Sequence, residues 1–359
     1  MVSTRAKEKP VIAQDKPYYI ELVKDKAYFW CSCGLSKTQP FCDSSHVGTS
    51  FTPLRYIGQS DCEEVLFCGC KQTKNGPFCD GAHNNIDKEK YSTDEANSIE
   101  NRKVKEVIAD NNGLSILDGG CYVSRVSSVP LDDYLNLKIG TLISTDKGAC
   151  HQSQFYLEAS RGEPSIVSFK DNHVVILVTE GNGVITISGR SFEIKPEAGV
   201  YIRPNEAFCI TNIESEKIKL FATVFPTPEV PLILATMPNN FLEDYPVRVV
   251  IADSKSRNRM ANRYWELLVD KQVGCTMAAQ FIGEIPESKA APHRHLYEES
   301  LIILKGSGYM WTENYKAKVT AGDIIFLPRK QMHSLQCLDP EGLYLVGIIY
   351  PGDNPSISY

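Results

Sequence analysis

A pattern of three cysteines and one histidine occurs twice near the start of this 359-residue chain. The first copy reads CSCGLSKTQPFCDSSH over residues 31–46, and the second reads CGCKQTKNGPFCDGAH over residues 68–83. Both have the spacing C-x-C-x8-C-x3-H, and both keep Pro-Phe-Cys-Asp as a block. Because chance does not readily give the same spacing twice, the pattern predicts two metal sites. Their candidate ligands are Cys31, Cys33, Cys42 and His46, and Cys68, Cys70, Cys79 and His83.

The single residue between the paired cysteines bears on the choice of metal. Zinc sites usually separate such cysteines by two to four residues. The narrower spacing favours an iron–sulfur cluster, in which thiolates hold iron and histidine can replace cysteine on one iron. With two ligands per iron, each copy would bind one [2Fe-2S] cluster. Two Cys3His zinc knuckles are the alternative.

These residues resemble the CDGSH iron–sulfur proteins of the NEET family. The second copy contains CDGAH after GPF, and the first copy is preceded by KPYYIELVKDKAYFW. Two motifs in one chain are similar to the family's two-motif members, in which one polypeptide supplies both halves of the cluster-binding fold. The resemblance implies a tandem CDGSH domain over residues 1–88. Ser44 departs from the family, which favours glycine after the Cys-Asp pair, and this departure bears on the turn geometry.

The segment that follows is polar throughout, from NNIDKEKY to VIADNNG, and predicts a linker over residues 89–113. Ser92 followed by Glu95 has the spacing of a capping box, and Gly113 stands where a helix C-cap would be. One short helix in the linker is therefore compatible with the sequence.

From about residue 114 the chain consists of short β-branched and aromatic runs separated by glycine, proline and asparagine, a pattern typical of all-β barrels. His293 and His295 are separated by one residue, which places both imidazoles on one face of a strand. Glu299 follows four residues later, and His333 follows a Gly- and Pro-containing turn. Together they could bind one metal ion.

The segments APHRHLYEESLIILKGSG and GDIIFLPRKQMHSLQ resemble the two motifs of the cupin superfamily, G-x5-H-x-H-x3,4-E-x6-G and G-x5-P-x-G-x2-H-x3-N. The resemblance implies a jelly-roll barrel over residues 237–359 whose metal ligands are His293, His295, Glu299 and His333. Ser288, Lys330 and Cys337 depart from the motif, but none of them stands at a ligand position.

A second alignment predicts another barrel over residues 114–236, because GACHQSQFYLEAS matches GCTMAAQFIGEIP. In this register the barrel lacks metal ligands: Ser168, Lys170, Val174 and Cys209 stand in place of His293, His295, Glu299 and His333. We expect it to be metal-free, with Cys209 packed inside. The predicted fold is thus mainly β: a small tandem CDGSH domain followed by two cupin (jelly-roll) β-barrels.

Composition narrows the function classes. The net charge of −6 and the lack of a basic stripe argue against nucleic-acid binding. Apolar runs such as HVVILV are too short to span a membrane, and MVSTRAKEKPVIAQ contains no apolar leader, so we expect a cytoplasmic protein. Of twelve cysteines, the six in the motifs indicate metal binding in a reducing compartment.

Three histidines and one glutamate leave two positions open on an octahedral metal, which suits iron in dioxygen chemistry, although manganese and nickel use such ligands too. Fused one-electron carriers favour an iron-dependent oxygenase or oxidase that acts on a small metabolite with electrons from its own clusters. The alternatives are a redox or iron sensor or electron-transfer protein with a ligand-binding cupin, and a cupin enzyme whose clusters are structural. A redox partner protein and a homodimer fit this interpretation.

Three aromatic residues near the barrel ligands are candidates for the substrate pocket: Tyr297, Tyr309 and Trp311. Their alternative role is ordinary core packing, since aromatic side chains on barrel strands commonly fill the interior.

Overall fold

The structure is a computed structural model. It describes residues 8–86, 104–212, 216–260, 262–352 and 354–359. These residues form strands and short 3-10 turns, with no α-helix among them. The helix predicted near Ser92 and Glu95 lies outside the described residues. The chain divides into two compact units, residues 1–101 with 293–296 and 356–359, and residues 102–292 with 297–355.

The first unit contains four short antiparallel strands and a 3-10 turn at Ala82–Asn85. The strands are Tyr18–Leu22 (β1), Ala27–Trp30 (β2), Leu54–Ile57 (β3) and Glu63–Phe67 (β4). β1 pairs with β4, and β2 pairs with β3. Aromatic and β-branched residues in these strands pack around the fully buried Phe67, which Tyr56 and Phe41 approach edge-on. The C-terminal segment belongs to this unit, where Tyr359 stacks on Tyr19 at 5.3 Å.

Two sheets form the first barrel of the second unit. In spatial order the larger sheet contains Val249–Ile251 (β19), Ala198–Ile202 (β15), His173–Glu180 (β12), Ile218–Phe225 (β17), Ser153–Ala159 (β10), Leu137–Ile143 (β9) and Asp132–Tyr134 (β8). The smaller sheet contains Arg190–Ile194 (β14), Gly183–Ile187 (β13), Ala207–Thr211 (β16), Ile166–Ser168 (β11) and Leu232–Leu234 (β18).

The second barrel has the same arrangement of two sheets. Its larger sheet contains Asn258–Met260 (β20), Arg263–Val269 (β21), Ala279–Ile285 (β22), Leu343–Tyr350 (β29), Glu298–Lys305 (β24), Asp323–Leu327 (β27), Tyr122–Arg125 (β7) and Leu114–Ile116 (β6). Its smaller sheet contains Ser288–Lys289 (β23), Ser334–Cys337 (β28), Ser307–Trp311 (β25), Tyr315–Thr320 (β26) and Lys105–Val107 (β5).

Side chains of the central strands alternate between a barrel interior and a second buried layer. In β12, Val174 and Ile176 belong to the core of the first barrel, whereas Leu177 packs in a cluster that joins the two larger sheets. In β24, Leu301 lies in the core of the second barrel and Ile302 in the shared cluster. Burial on both faces explains why these strands read as nearly continuous apolar runs.

Strand pairing crosses the predicted domain boundaries. β5, β6 and β7 join the sheets of the second barrel although they precede the first barrel in the chain, and β19 pairs with β15 of the first barrel. Residues 114–125 therefore do not belong to the first barrel's sheets. The predicted linker contains β5, and Gly113 (φ 77°) closes a turn on Asp110 rather than a helix. The sequence of an edge strand does not show which sheet the strand joins.

Candidate metal centres

The first cysteine motif folds as a loop that returns beside β2. The Cys31 amide donates to the Pro40 carbonyl, and the Cys42 amide donates to the Phe29 carbonyl, both at 2.8 Å. These bonds bring the two halves of the motif together. The sulfur atoms of Cys31 and Cys33 are 3.6 Å apart, and Cys42 Sγ lies 3.2 Å from Nδ1 of His46.

The second motif repeats this geometry beside β4. The Cys68 amide donates to Pro77 and the Cys79 amide to Leu66, again at 2.8 Å. The sulfur atoms of Cys68 and Cys70 are 3.6 Å apart, and Cys79 Sγ lies 3.3 Å from His83 Nδ1. His83 is buried, whereas its counterpart in the first motif is partly exposed.

The aspartate after the third cysteine stabilises each loop. Oδ2 of Asp43 accepts the Lys37 amide, and Oδ2 of Asp80 accepts the Lys74 amide, both at 2.8 Å. The next residue is left-handed in both motifs, with φ 74° at Ser44 and 84° at Gly81. Ser44 therefore keeps the turn geometry that glycine adopts in the second copy.

The ligand atoms of each motif are close in pairs. Two sulfur ligands of one tetrahedral metal with bonds of about 2.3 Å lie about 3.8 Å apart, and the sulfur atoms of each Cys–Cys pair are 3.6 Å apart. Each Cys–Cys pair therefore fits one metal ion. Because zinc–sulfur bonds have this length too, the [2Fe-2S] cluster at each motif stays a prediction.

Thiols of the second motif have pKa values shifted in opposite directions. The hydrogen bond from Cys70 lowers the pKa of Cys68, and burial raises the pKa of Cys79 to about 12. A metal that binds here displaces the remaining protons, as is general for thiolate ligands.

Three histidines form one group of candidate metal ligands. His293, His295 and His333 place one ring nitrogen each within 4.8 Å of one another. All three lie in segments between the named strands rather than within a strand, in contrast to the strand position predicted for the first two. Nδ1–H of His333 donates to the Gln331 carbonyl at 2.9 Å, and Nδ1 of His295 lies 3.3 Å from the Ile357 carbonyl oxygen. Such contacts favour the tautomer in which Nε2 would bind a metal, so these residues fit a mononuclear metal.

The charge states of this site follow from burial. Burial lowers the pKa of His333 to about 4, so its imidazole is neutral and able to bind metal at physiological pH. Burial raises the pKa of Glu299 to about 8. Glu299 occupies an inward position of β24, but it is not a member of the three-residue group. Its role as the fourth ligand stays a prediction.

Of the three candidate pocket residues, one lies in the barrel core and two face away from it. Tyr297 lies in the core of the second barrel and donates its hydroxyl to the Pro355 carbonyl at 3.2 Å. Tyr309 and Trp311 alternate with the core residue Met310 in β25 and therefore face away from the interior. Lys316 packs over both rings, at 4.5 and 4.6 Å. The prediction that Tyr309 and Trp311 line the pocket is corrected accordingly.

In the first barrel, Cys209 also faces away from the barrel interior. Phe208 and Ile210 of β16 belong to the barrel core, and Cys209 between them lies on the other face. The prediction that Cys209 faces the interior was therefore one residue out of register. Val174, which stands in place of Glu299, packs in the core.

Sequence reasoning missed Glu298, which precedes the predicted ligand. Its carboxylate accepts the backbone amides of Cys150, His151 and Gln152 at 2.7, 2.9 and 3.0 Å. The alternation of a strand could have placed Glu298 opposite Glu299, but not against a loop nearly 150 residues away in the chain.

Family comparisons match both kinds of site. The model of "Iron-binding zinc finger CDGSH type" matches residues 5–47, and a cupin domain model matches residues 283–349. The protein named "CDGSH iron-sulfur domain-containing protein 3, mitochondrial" is 53% identical in Mus musculus over 53 residues and 46% identical in Homo sapiens over 57 residues. These alignments cover 14% and 15% of this chain and 39% and 45% of the relatives, so the chain spans less than half of their length. The CDGSH model ends before the second motif.

Solved structures match the fold of the two barrels. The protein Ylba from E. coli gives a TM-score of 0.51 at 14% identity, with 69% of this chain and 95% of that chain covered. An oxalate decarboxylase gives a TM-score of 0.51 at 11% identity, with 65% and 77% covered. At these identities the likeness confirms the predicted cupin fold and carries no activity. No helix within the described part of the chain is long and apolar enough to cross a membrane.

Proposed function

We propose that this chain, which joins a CDGSH-type iron–sulfur domain to a cupin double barrel, is a metal-dependent oxidoreductase. More specifically, we propose a mononuclear iron oxygenase or oxidase that acts on a small metabolite and receives electrons from two [2Fe-2S] clusters of its own chain. Dioxygen is the proposed co-substrate, a redox partner protein the proposed electron source and a homodimer the proposed assembly. A cytoplasmic location stays a prediction.

The observation that carries this proposal is the three-histidine group in a chain that also holds two sets of paired cluster ligands. An iron ion held by the histidines would supply redox and Lewis-acid chemistry at coordination positions that the protein leaves open. The neutral imidazole of His333 binds metal without first losing a proton. Tyr297 and its apolar neighbours in the barrel core restrict water around the same interior.

Contacts within the first unit support electron supply by the clusters. Asn84, which follows the cluster ligand His83, donates its side-chain amide to the Ser356 carbonyl at 2.9 Å. The next carbonyl, that of Ile357, lies 3.3 Å from Nδ1 of His295. One short segment therefore contacts a residue beside a cluster ligand and a histidine of the barrel group.

Oxygen consumption by the anaerobically purified protein tests the proposal. We expect uptake that requires both a reductant and a small metabolite from a defined pool, and that is lost in His333→Ala and in Cys79→Ser. Cys62→Ser is the matched control, because Cys62 is an exposed cysteine outside both motifs. After chemical reduction of the barrel metal, Cys79→Ser should regain a single turnover and His333→Ala should not.

The alternatives predict other outcomes. A redox or iron sensor would bind a ligand in the cupin without consuming oxygen. If Cys79→Ser and Cys42→Ser, both folded, turned over normally with a protein reductant, the clusters would be structural and the proposed electron supply would be wrong.

A further inference from the structure

Lys71 is a buried cation in the cluster-binding part of the first unit. Its side chain is 4% exposed, and Nζ donates to the Cys68 carbonyl at 3.0 Å. The same carbonyl accepts the indole N–H of Trp30 at 3.0 Å. Nζ lies 4.7 Å from the ring centre of Trp30 and 5.7 Å from that of Tyr18. The ammonium is thus enclosed by aromatic faces, an arrangement that favours the charged form.

This position connects the two motifs. Trp30 immediately precedes the first ligand of the first motif, whereas Lys71 immediately follows the second ligand of the second motif. The Trp30 ring, whose centre lies 4.7 Å from Nζ, therefore places the buried ammonium beside the start of the first motif as well as within the second.

The backbone of Lys71 is unfavourable for any residue with a side chain. Its φ is 63°, in the left-handed region, which residues other than glycine, asparagine and aspartate rarely adopt. The equivalent position of the first motif is Gly34, with φ 79°, where a Cβ atom would collide with the Val11 carbonyl oxygen. This turn therefore contains glycine in the first motif, whereas in the second motif it contains a lysine with a left-handed backbone and a buried charge. Packing alone does not account for a lysine here.

We propose that Lys71 is a shared electrostatic residue that raises the reduction potentials of both clusters. A fixed positive charge stabilises the reduced, more negative state of a nearby cluster, and its effect is large where water is excluded. The inference rests on the proposed presence of two [2Fe-2S] clusters. Lys71 does not ligate iron; it acts through the field at the Cys31–Cys33 and Cys68–Cys70 pairs.

The test measures each cluster by itself. In the full chain, Cys42→Ser leaves the second cluster and Cys79→Ser leaves the first, and Lys71→Met is added to each background. Visible absorption during stepwise reduction by dithionite gives the midpoint potential. Dithionite donates one electron to each cluster, no bond forms or breaks, and Lys71 keeps its proton. We expect a lower potential in both backgrounds, with the ratio of oxidised to reduced cluster at a fixed potential raised at least tenfold, or about 59 mV for a one-electron couple.

Three further variants separate charge from structure. Lys71→Arg keeps the charge and should stay near the wild-type potentials. Lys74→Met removes an exposed lysine of the same loop and should change neither potential appreciably. Lys71→Gly copies Gly34, relieves the strained backbone and removes the charge, so it reports on the charge even if the methionine variant does not take up its cluster.

The outcomes are decisive in either direction. A shift confined to the second cluster would overturn the sharing, and unchanged potentials in Lys71→Gly would overturn the electrostatic role. Failure of the two-cluster assignment would be seen earlier and separately, in the iron content of the wild-type protein. Because the barrel and dioxygen take no part in the measurement, its result is independent of the proposed oxygen chemistry.

Discussion

Glu298 and Glu299 are consecutive residues of β24 whose carboxylates lie on opposite faces of the strand. Glu298 accepts three backbone amides of residues 150–152, which belong to the chain segment of the first barrel. Glu299 shares its face with Leu301 in the core of the second barrel. Two adjacent carboxylates thus have separate surroundings: one holds a loop, and the other faces the core of the second barrel.

Replacement of Glu298 by glutamine should destabilise the barrels without removing the barrel metal. The neutral amide cannot accept three amides as a carboxylate does, and hydrogen bonds to charged groups contribute about 1.5–3 kcal/mol each. We expect a loss of about 2–3 kcal/mol, seen as a lower thermal midpoint of the far-ultraviolet signal. Glu287→Gln, at an exposed residue nearby, is the control. Loss of barrel metal in Glu298→Gln would contradict the separation of roles.

The metal-free barrel should become less stable as pH rises from about 6.5 to 8. Burial raises the pKa of Glu299 from 4.5 to about 8, so over this range the folded protein holds a proton that the unfolded chain releases. The free energy of unfolding then falls with pH, by at most about 1.4 kcal/mol per unit. His333, whose pKa is lowered from 6.5 to about 4, has the opposite effect, but only below about pH 6.5.

Thermal melts of chelator-treated protein at pH 6.5 and 8 check this expectation. Glu299→Gln should flatten the dependence, because the amide mimics the protonated carboxyl and does not titrate. An equal slope in wild type and Glu299→Gln would show that another group is responsible.

Much of this architecture could be predicted from local patterns, and the remainder depends on pairing between distant segments. The ligand pairs follow from spacing, since C-x-C brings two sulfurs together and the return of the loop adds Cys42 and His46. Whether β5 joins the second barrel depends on which sheet has an edge strand available for pairing, and here that strand is β26. The orientation of Trp311 depends on a one-residue register that a run of aromatic residues does not reveal.

Ser44→Gly should stabilise the first cluster site, and Gly81→Ser should destabilise the second. Both positions are left-handed, with φ 74° and 84°, which costs an L-residue about 1 kcal/mol or more and costs glycine little. The two substitutions exchange the residues of equivalent positions and so control for each other. Thermal loss of the visible cluster absorption, measured with one cluster removed, should shift in opposite directions. A shift of the same sign in both variants would show that side-chain contacts outweigh backbone strain.

The cluster domain and the barrel should lose their metals independently. The two kinds of site share no ligand: the clusters are assigned to cysteines and histidines of residues 31–83, and the barrel metal to His293, His295 and His333. Wild-type protein should therefore carry about four cluster irons with visible absorption, and up to one further metal ion.

His293→Ala should lose only the barrel metal and leave the cluster spectrum unchanged, whereas Cys79→Ser should lose one cluster and keep the barrel metal. Elemental analysis and visible spectra of both variants, with Cys62→Ser as control, test this independence. Stoichiometric zinc without visible absorption in the wild type would instead establish zinc knuckles at the two motifs, and a cluster spectrum that collapses in His293→Ala would show that the barrel ligands are needed to form the clusters.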